Sequence, residues 1–304
     1  AGAEASVAAS VCNFGGQARY VTALPTHALA EATMDSLRAV GIDVRHVLRT
    51  DAGRLGLYFL ETGANQRPSN VIYDRAGSAI SLTPADAYDW DAIFDGAVWL
   101  HLSGITPALS EVAAEATLVA AQKAKASGAR VSCDLNFRKK LWRWDEAKSP
   151  RDLAEATMRG VLPFVDVVIA NEEDCADVLG IHAADTDVEA GTLSTARYPE
   201  VARQVVGQFP SVGHVAITLR ESLSATHNNW GAMLYDAAGD EPHFAPLDAD
   251  GRYRPYPIKS IVDRVGGGDA FAGGLIFAMT TPERAEPEMA LRFAVAASWL
   301  KHAS

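Results

Sequence analysis

The run Asp263-Arg264-Val265-Gly266-Gly267-Gly268-Asp269 places three consecutive glycines between two acids. A β-like run, 259–262, precedes it, and an apolar helix-like run extends from 270 to 279. Glycine lets a backbone turn sharply and approach a ligand closely. The unpaired N–H groups and positive dipole end of a helix start form an anion site. Asp269 opens that helix, where the dipole would hold it ionised. There it could accept a proton from a hydroxyl beside a bound phosphate. The segment is not a Walker A loop, which needs Gly-Lys-Ser/Thr. Nor is it G-x-G-x-x-G, which would need glycine at Phe271. A helix cap with packing glycines is the alternative reading.

Three further groups fall at the ends of strand-like runs, where open α/β sheets bind ligands. Asp134-Leu135-Asn136-Phe137-Arg138 ends the run 130–135, and alternation puts Asp134, Asn136 and Arg138 on one side. Arginine offers a bidentate fork to a carboxylate or phosphate, although a polar loop with a salt bridge would look the same. Asn171-Glu172-Glu173-Asp174 follows the run 165–170. It could hold Mg²⁺ through water, or be an Asn-capped helix with acids in its first turn. Thr218-Leu219-Arg220-Glu221-Ser222 follows the run 214–219 and adds hydroxyls and a charge.

Other reactive residue types read as structural. His101 ends an apolar run with no nearby ligand partner, as a satisfied core histidine would. Cys12, Cys133 and Cys175 are odd in number and form no C-x-x-C, so they are expected to be buried, inert and in a reducing, cytoplasmic setting. The six tryptophans, Trp142 and Trp144 among them, read as packing residues. Ser103-Gly104 lacks the Gly-x-Ser-x-Gly frame of a nucleophile elbow.

The elements that must position these groups alternate. Helix-like runs cover 3–14, 29–40 and 107–127, closed by Gly15-Gly16, Gly41 and Gly128. Near-continuous apolar strands lie at 97–102, 130–135, 165–170 and 214–219, with a shorter β-rich run at 19–23. The pattern predicts an α/β fold with a mostly parallel sheet covered by helices on both faces. Residues 44–80 carry three strand-like runs without helices between them, which predicts a small antiparallel sheet projecting from the main one. A second all-β stretch spans 222–244, with a turn expected at Asn228-Asn229. The polar stretch 182–199 reads as a surface loop or short helix.

The chain has 304 residues, enough for one large α/β domain over 1–304. Its net charge of −11 argues against a nucleic-acid partner. No apolar run approaches the roughly 20 residues of a membrane-spanning helix. The N-terminus has no signal-peptide pattern, lacks a Met and starts directly into a helix, which hints at a trimmed end.

Taken in order, these segments resemble the ribokinase-like, PfkB-type carbohydrate kinases. Residues 1–6 are similar to the family's Gly-Gly-Ala-Glu-x-Asn sugar loop, with Ala1-Gly2 for the glycine pair and Ser6 for the asparagine. Residues 53–61, Gln66-Arg67-Pro68-Ser69 and 73–79 resemble segments of the members that act on keto-acid sugars. Asp134-x-Asn136-x-Arg138, Asn171-x-x-Asp174 and the glycine run complete the order. The resemblance implies that Asp269 takes the proton from the sugar's terminal hydroxyl, with Gly266, Gly267 and Gly268 as anion hole. Arg75 and Arg138 would hold a substrate carboxylate, and Tyr58, Tyr73, Gly2 and Ser6 would surround the sugar. Asn136, Arg138, Asn171, Thr218, Arg220, Ser222 and the glycines would line the ATP side, with Mg²⁺ near Asp174. A monovalent cation is also compatible with it. Residues 44–80 become a lid that excludes water and can pair with a second subunit. Ser6 shortens one sugar contact, and Asp174 is shorter than the family's glutamate. The family's first strand, before the sugar loop, and its tail beyond His302 have no counterpart in the sequence, which implies trimmed ends.

Overall fold

The computed structural model describes residues 2–63, 65–171, 173–181, 197–224, 226–263 and 265–302. Ala1 of the sugar loop, Glu172, Arg264 and most of the stretch 182–199 lie outside the described residues; 197–199 begin a helix.

In chain order the elements are α1 (Ala3–Asn13), β1 (Ala23–Pro25), α2 (Ala28–Ala39), β2 (Leu48–Thr50), β3 (Leu57–Glu61), β4 (Asn70–Asp74), α3 (Ala79–Leu82), α4 (Trp90–Phe94), β5 (Trp99–Ser103) and α5 (Glu111–Ala126). They continue with β6 (Arg130–Asp134), α6 (Pro150–Val161), β7 (Val167–Asn171), α7 (Asp174–Leu179), α8 (Arg197–Gln208), β8 (His214–Ser224), β9 (His227–Asp236), β10 (Glu241–Ala245), β11 (Tyr256–Ile258), α9 (Gly267–Met279) and α10 (Pro287–Lys301).

The central sheet runs β10-β9-β8-β7-β6-β5, with β11 also paired to β9. Strands β5 to β8 are parallel neighbours, and β9 and β10 extend the sheet antiparallel. Period-two alternation sorts the strand side chains between two cores. From β7, Val168 and Ala170 face the core beneath α5, α6, α7 and α8, whereas Val167 and Ile169 face the core beneath α9 and α10. Both faces being covered explains the near-continuous apolar strands.

Local chemistry sets several boundaries. Ser110 caps α5 by accepting from the Ala113 N–H at 3.0 Å. Ser149 caps α6 in the same way, with Pro150 at its first position. α9 is apolar on all sides and lies between α1 and α10. A Cβ on Gly273 would come 2.6 Å from the Ser10 Cβ, and one on Gly274 would come 3.0 Å from the Ala297 Cβ. These two glycines therefore permit close helix packing.

Three expectations change. The lid sheet is smaller than 44–80: only β3 and β4 form it, antiparallel, with Tyr58 opposite Tyr73 and Phe59 opposite Ile72. The earlier run contributes β2, which pairs parallel with β1. Asn228 and Asn229 are not a turn but sit inside β9, opposite Ser222 and Glu221. Asn229 donates its side-chain amide to Glu221 at 2.6 Å, a cross-strand bond that outweighs its turn preference. The run before the glycines is not a strand; β11 ends at Ile258.

Candidate active site

α9 starts at the glycine run. Gly266 takes φ +84°, a left-handed conformation suited to glycine, and caps the helix. Its carbonyl accepts the Ala270 N–H at 2.8 Å. Helix geometry leaves the N–H groups of Gly267, Gly268 and Asp269 without partners in the preceding turn. A Cβ on Gly268 would meet nothing within 4 Å, so this side of the loop is open.

Asp269 is mostly buried at this helix start. Burial first, then the negative Glu4, pushes its carboxyl up to about 7; Ser6, Arg138 and Lys301 pull the other way. This corrects the expectation that the dipole holds Asp269 ionised. A helix end contributes about 0.3–1 kcal/mol, less than one pH unit, and burial outweighs it. A carboxyl titrating near neutrality is, once ionised, a stronger base than an ordinary aspartate, which suits a general base.

α1 brings the sugar-loop residues to the same place. Gly2 precedes the helix, and Ser6 Oγ lies 3.1 Å from the Gly2 carbonyl while also reaching the Asp269 carboxylate. One hydroxyl proton serves only one of these acceptors at a time. Glu4 accepts from Ser103 Oγ at 2.6 Å and Thr106 Oγ1 at 2.9 Å, which locks α1 against the end of β5.

β6 ends at Asp134, one residue earlier than expected. Asn136 then turns left-handed at φ +36°, so simple alternation does not continue to Arg138. Asn136 donates its backbone N–H to Asp134 Oδ1 at 3.1 Å and its side-chain amide to Oδ2 at 3.3 Å. Its own side-chain oxygen is buried without a protein partner. Arg138 is exposed, yet its charge acts on Asp134, Asp174 and Asp269 together. Burial, followed by repulsion from Asp174 and Asp269, raises Asp134 well above the usual carboxylate range.

Asp174 is buried, and burial raises its carboxyl although backbone N–H groups of Asn171 and Phe137 oppose this. Asn171 Oδ1 accepts the N–H groups of Glu173 at 2.8 Å and Asp174 at 3.0 Å, the capping arrangement weighed from the sequence. Among the described residues, no group of three or more His, Cys, Asp or Glu is arranged to hold a metal. Thr218 is buried beside Asn171 in the β7–β8 register, its hydroxyl 3.4 Å from the Ala170 carbonyl. Arg220 and Ser222 do not follow β8 but lie within it, exposed, because the strand continues to Ser224.

In the lid, the Arg75 guanidinium stands 5.6 Å from the Tyr58 ring centre and 5.5 Å from that of Tyr73. Its charge is felt by Tyr20, whose hydroxyl neighbours Gly2 and also feels Glu4. Lys140 Nζ donates to the Val71 carbonyl at 3.1 Å, joining the loop after β6 to β4. The lid and the Asp269 region are thus bridged by Tyr20, Glu4 and Lys140. Sequence reasoning passes over all three as site residues. Glu4 had a signal, its place in the sugar loop, but an acid in a first helical turn also reads as a dipole partner. Tyr20 and Lys140 had none.

His101 is the satisfied histidine expected: its Nδ1 lies 2.9 Å from Ser132 Oγ, and burial lowers it to about 4 against the pull of Glu4. All three cysteines are free; Cys133 and Cys175 are buried, but Cys12 is only half-buried. A cavity of about 890 Å³ runs along β5 beside Tyr88, Trp99 and His101. Glu4, Tyr20 and Thr106 line it, but Asp269, the glycines 266–268, Asn136 and Arg138 do not, so it is not the space in front of Asp269.

The model of the pfkB family carbohydrate kinases matches residues 1–209. The chain belongs to the pfkB carbohydrate kinase family. It is therefore a phosphotransferase with an alcohol group as acceptor. A 2-dehydro-3-deoxygalactonokinase of Haloferax volcanii is 33% identical over 98% of this chain and 80% of its own length. A 2-dehydro-3-deoxygluconokinase of Thermoproteus tenax is 26% identical over 99% of this chain and 78% of its own. The crystal structure of the 2-dehydro-3-deoxygluconokinase of Thermotoga maritima superposes with a TM-score of 0.86 at 41% identity, covering 99% of this chain and 83% of that one. The pfkB fold thus includes the glycine loop and α9, which lie beyond the residues matched by the family model.

Proposed function

We propose that this pfkB kinase transfers the γ-phosphoryl group of ATP to the terminal hydroxyl of 2-keto-3-deoxygluconate, giving 2-keto-3-deoxy-6-phosphogluconate. The observation that carries the reading is Asp269: a half-buried carboxyl raised to about 7, opening α9 directly behind Gly266, Gly267 and Gly268. In this reading Asp269 receives the hydroxyl proton as the oxygen attacks. The glycine-loop N–H groups take the charge of the transferring phosphoryl. Phosphoryl transfer needs positioning and charge neutralisation more than a strong base.

Arg75 and Arg138 bind the sugar carboxylate, with Tyr58 and Tyr73 flanking Arg75, and Gly2 and Ser6 contact the sugar chain. Ser6 is partly diverted to the Gly2 carbonyl, which weakens the hydroxyl contact an asparagine would make. Asn136, Asn171, Thr218, Arg220 and Ser222 line the nucleotide side. The unpartnered Asn136 side-chain oxygen fits a ligand N–H or O–H. Mg²⁺ supplies charge neutralisation on the phosphates. The donor set fits an ion held mainly by ATP and water, because both oxygens of Asp174 already accept backbone N–H groups. The crowding of Asp134, Asp174 and Asp269 favours a cation nearby.

The Haloferax relative motivates a second reading, a galactonate-derived keto-acid as substrate. A coupled ADP-release assay across gluconate- and galactonate-derived keto-acids, fructose and ribose separates the alternatives. Preference for a neutral sugar would remove the carboxylate role of Arg75 and Arg138. Absence of transfer to any sugar acid would leave a binding protein on a kinase fold. The three free cysteines agree with a cytoplasmic setting. Among the described residues no helix is long and apolar enough to cross a membrane. The outer lid face suits pairing with a second copy of the chain.

A further inference from the structure

The last turn of α10 touches the glycine loop at both of its ends. Ser298 and His302 are buried beneath it. Ser298 Oγ donates to the Gly267 carbonyl at 2.7 Å. His302 Nδ1 lies 2.7 Å from the Ser298 carbonyl, which can only accept, so Nδ1 carries a proton. That bond fixes the imidazole, which also packs on Trp230 with ring centres 5.1 Å apart. Its other edge lies against Gly267: a Cβ there would sit 2.6 Å from the ring Cε1 and 2.9 Å from Nε2. At the loop's start, Val262 donates its N–H to the His302 carbonyl at 3.0 Å. Lys301 Nζ donates to Asp263 Oδ2 at 3.0 Å, while Asp263 Oδ1 accepts the Val265 N–H at 2.9 Å.

These contacts serve no sugar or nucleotide in the reading above, and nothing in a simple helix end requires them. A helix start alone would orient the N–H groups only as well as its first turn is held. Here side chains and a backbone carbonyl from one turn of α10 hold the loop at Val262, Asp263 and Gly267. We propose that Ser298, Lys301 and His302 are positioning residues that seat Gly267 and Asp263, so that the N–H groups of the α9 first turn converge on the transferring phosphoryl. The inference rests on the phosphate-loop reading. A misplacement of about 1 Å can cost about 100-fold in rate, so a clamp of this kind acts on kcat.

Lys301 also faces Asp269, with Arg138 the other cation, Ser6 a hydrogen-bond donor, and Glu4 and Asp134 the opposing charges. Removing Lys301 therefore moves the acid limb of the rate profile upward as well as lowering kcat.

The test is a double-mutant cycle between Gly267→Ala and His302→Ala, read as kcat with both substrates saturating. Gly267→Ala alone drives its methyl into the imidazole and lowers kcat about 100-fold. In the His302→Ala background the same change costs less than about tenfold, because the imidazole is gone. Full activity of Gly267→Ala alone overturns the clamp, because alanine keeps the N–H and its methyl would then displace the imidazole without cost. An inactive Gly267→Ala unrelieved by His302→Ala also overturns the clamp and leaves the phosphate-loop reading standing. Lys301→Met covers the case in which His302→Ala does not fold. The expected result is a roughly tenfold lower kcat, KM values for both substrates nearly unchanged, an acid limb moved upward, and recovery in Lys301→Arg. An unchanged kcat and pH profile in folded Lys301→Met overturns the proposal.

Discussion

Phe137 donates its backbone N–H to Asp174 Oδ1 at 3.1 Å, across 37 residues of sequence. Asn171 donates to the other oxygen of that carboxylate, also at 3.1 Å. One buried side chain at the start of α7 therefore holds the loop that carries Asn136 and Arg138. Asp174→Ala leaves two buried N–H groups unpaired, at about 1–3 kcal/mol each. The expected outcome is a lower urea midpoint and at least about a tenfold loss of kcat/KM as the Arg138 loop shifts. Asp174→Asn keeps one acceptor and should lose less of both. Wild-type turnover in folded Asp174→Ala would separate this carboxylate from the site.

Arg75 is flanked by two tyrosines, which orients a planar guanidinium better than an ammonium. Arg75→Lys should raise KM for the keto-acid, and Arg75→Ala and Arg138→Ala should raise it further. KM for ATP should move in Arg138→Ala, whose charge also faces Asp134 and Asp174, and not in Arg75→Ala. Steady-state kinetics with a neutral sugar provides the control: equal losses for acid and neutral substrates would exclude carboxylate recognition.

Asp269 holds its proton up to about 7 in the folded chain, whereas an ordinary Asp releases it near 3.8. The folded state binds more protons in that interval, so stability falls as pH rises through it. The interval corresponds to at most about 4 kcal/mol. Asp269→Asn should therefore raise Tm above wild type at pH 8 and have little effect near pH 4. Equal Tm differences at the two pH values would contradict the raised carboxyl. The same variant should still bind ATP and sugar acid while turnover falls by orders of magnitude. Wild-type kcat/KM should rise with pH through about 7 as the base ionises.

The two lid faces differ. Tyr58 and Tyr73 share the face of Arg75, and Phe59 and Ile72 share the opposite one, 56% and 57% exposed. If this outer face joins two copies, Phe59→Asp should halve the mass seen by light scattering and raise KM by loosening the lid. A wild-type chain that is monomeric at all concentrations would remove the oligomer proposal.

The sequence alone was enough for the α/β class, the strand-end placement of Asp134 and Asn171, and the glycine turn before Asp269, whereas Thr218 lies inside a strand that runs on to Ser224. Those features are local: apolar period, turn residues and the backbone freedom of glycine act within a few residues of one another. The extent of the lid was less legible, because the strand-like run near 44–48 carries no mark of its partner, and β2 joins β1 instead of β3. Asn229 favours a turn by type, yet a bond to Glu221 on the neighbouring strand keeps it in β9. The state of Asp269 was decided only in three dimensions: the dipole that favours ionisation is written in the chain order, while the burial and the approach of Glu4 that outweigh it come from α1 packing against α9. For the same reason no local pattern marked Lys301 and His302. Their role rests on contacts to Asp263 and Gly267, more than thirty residues away in sequence, which exist only once α10 has packed along α9.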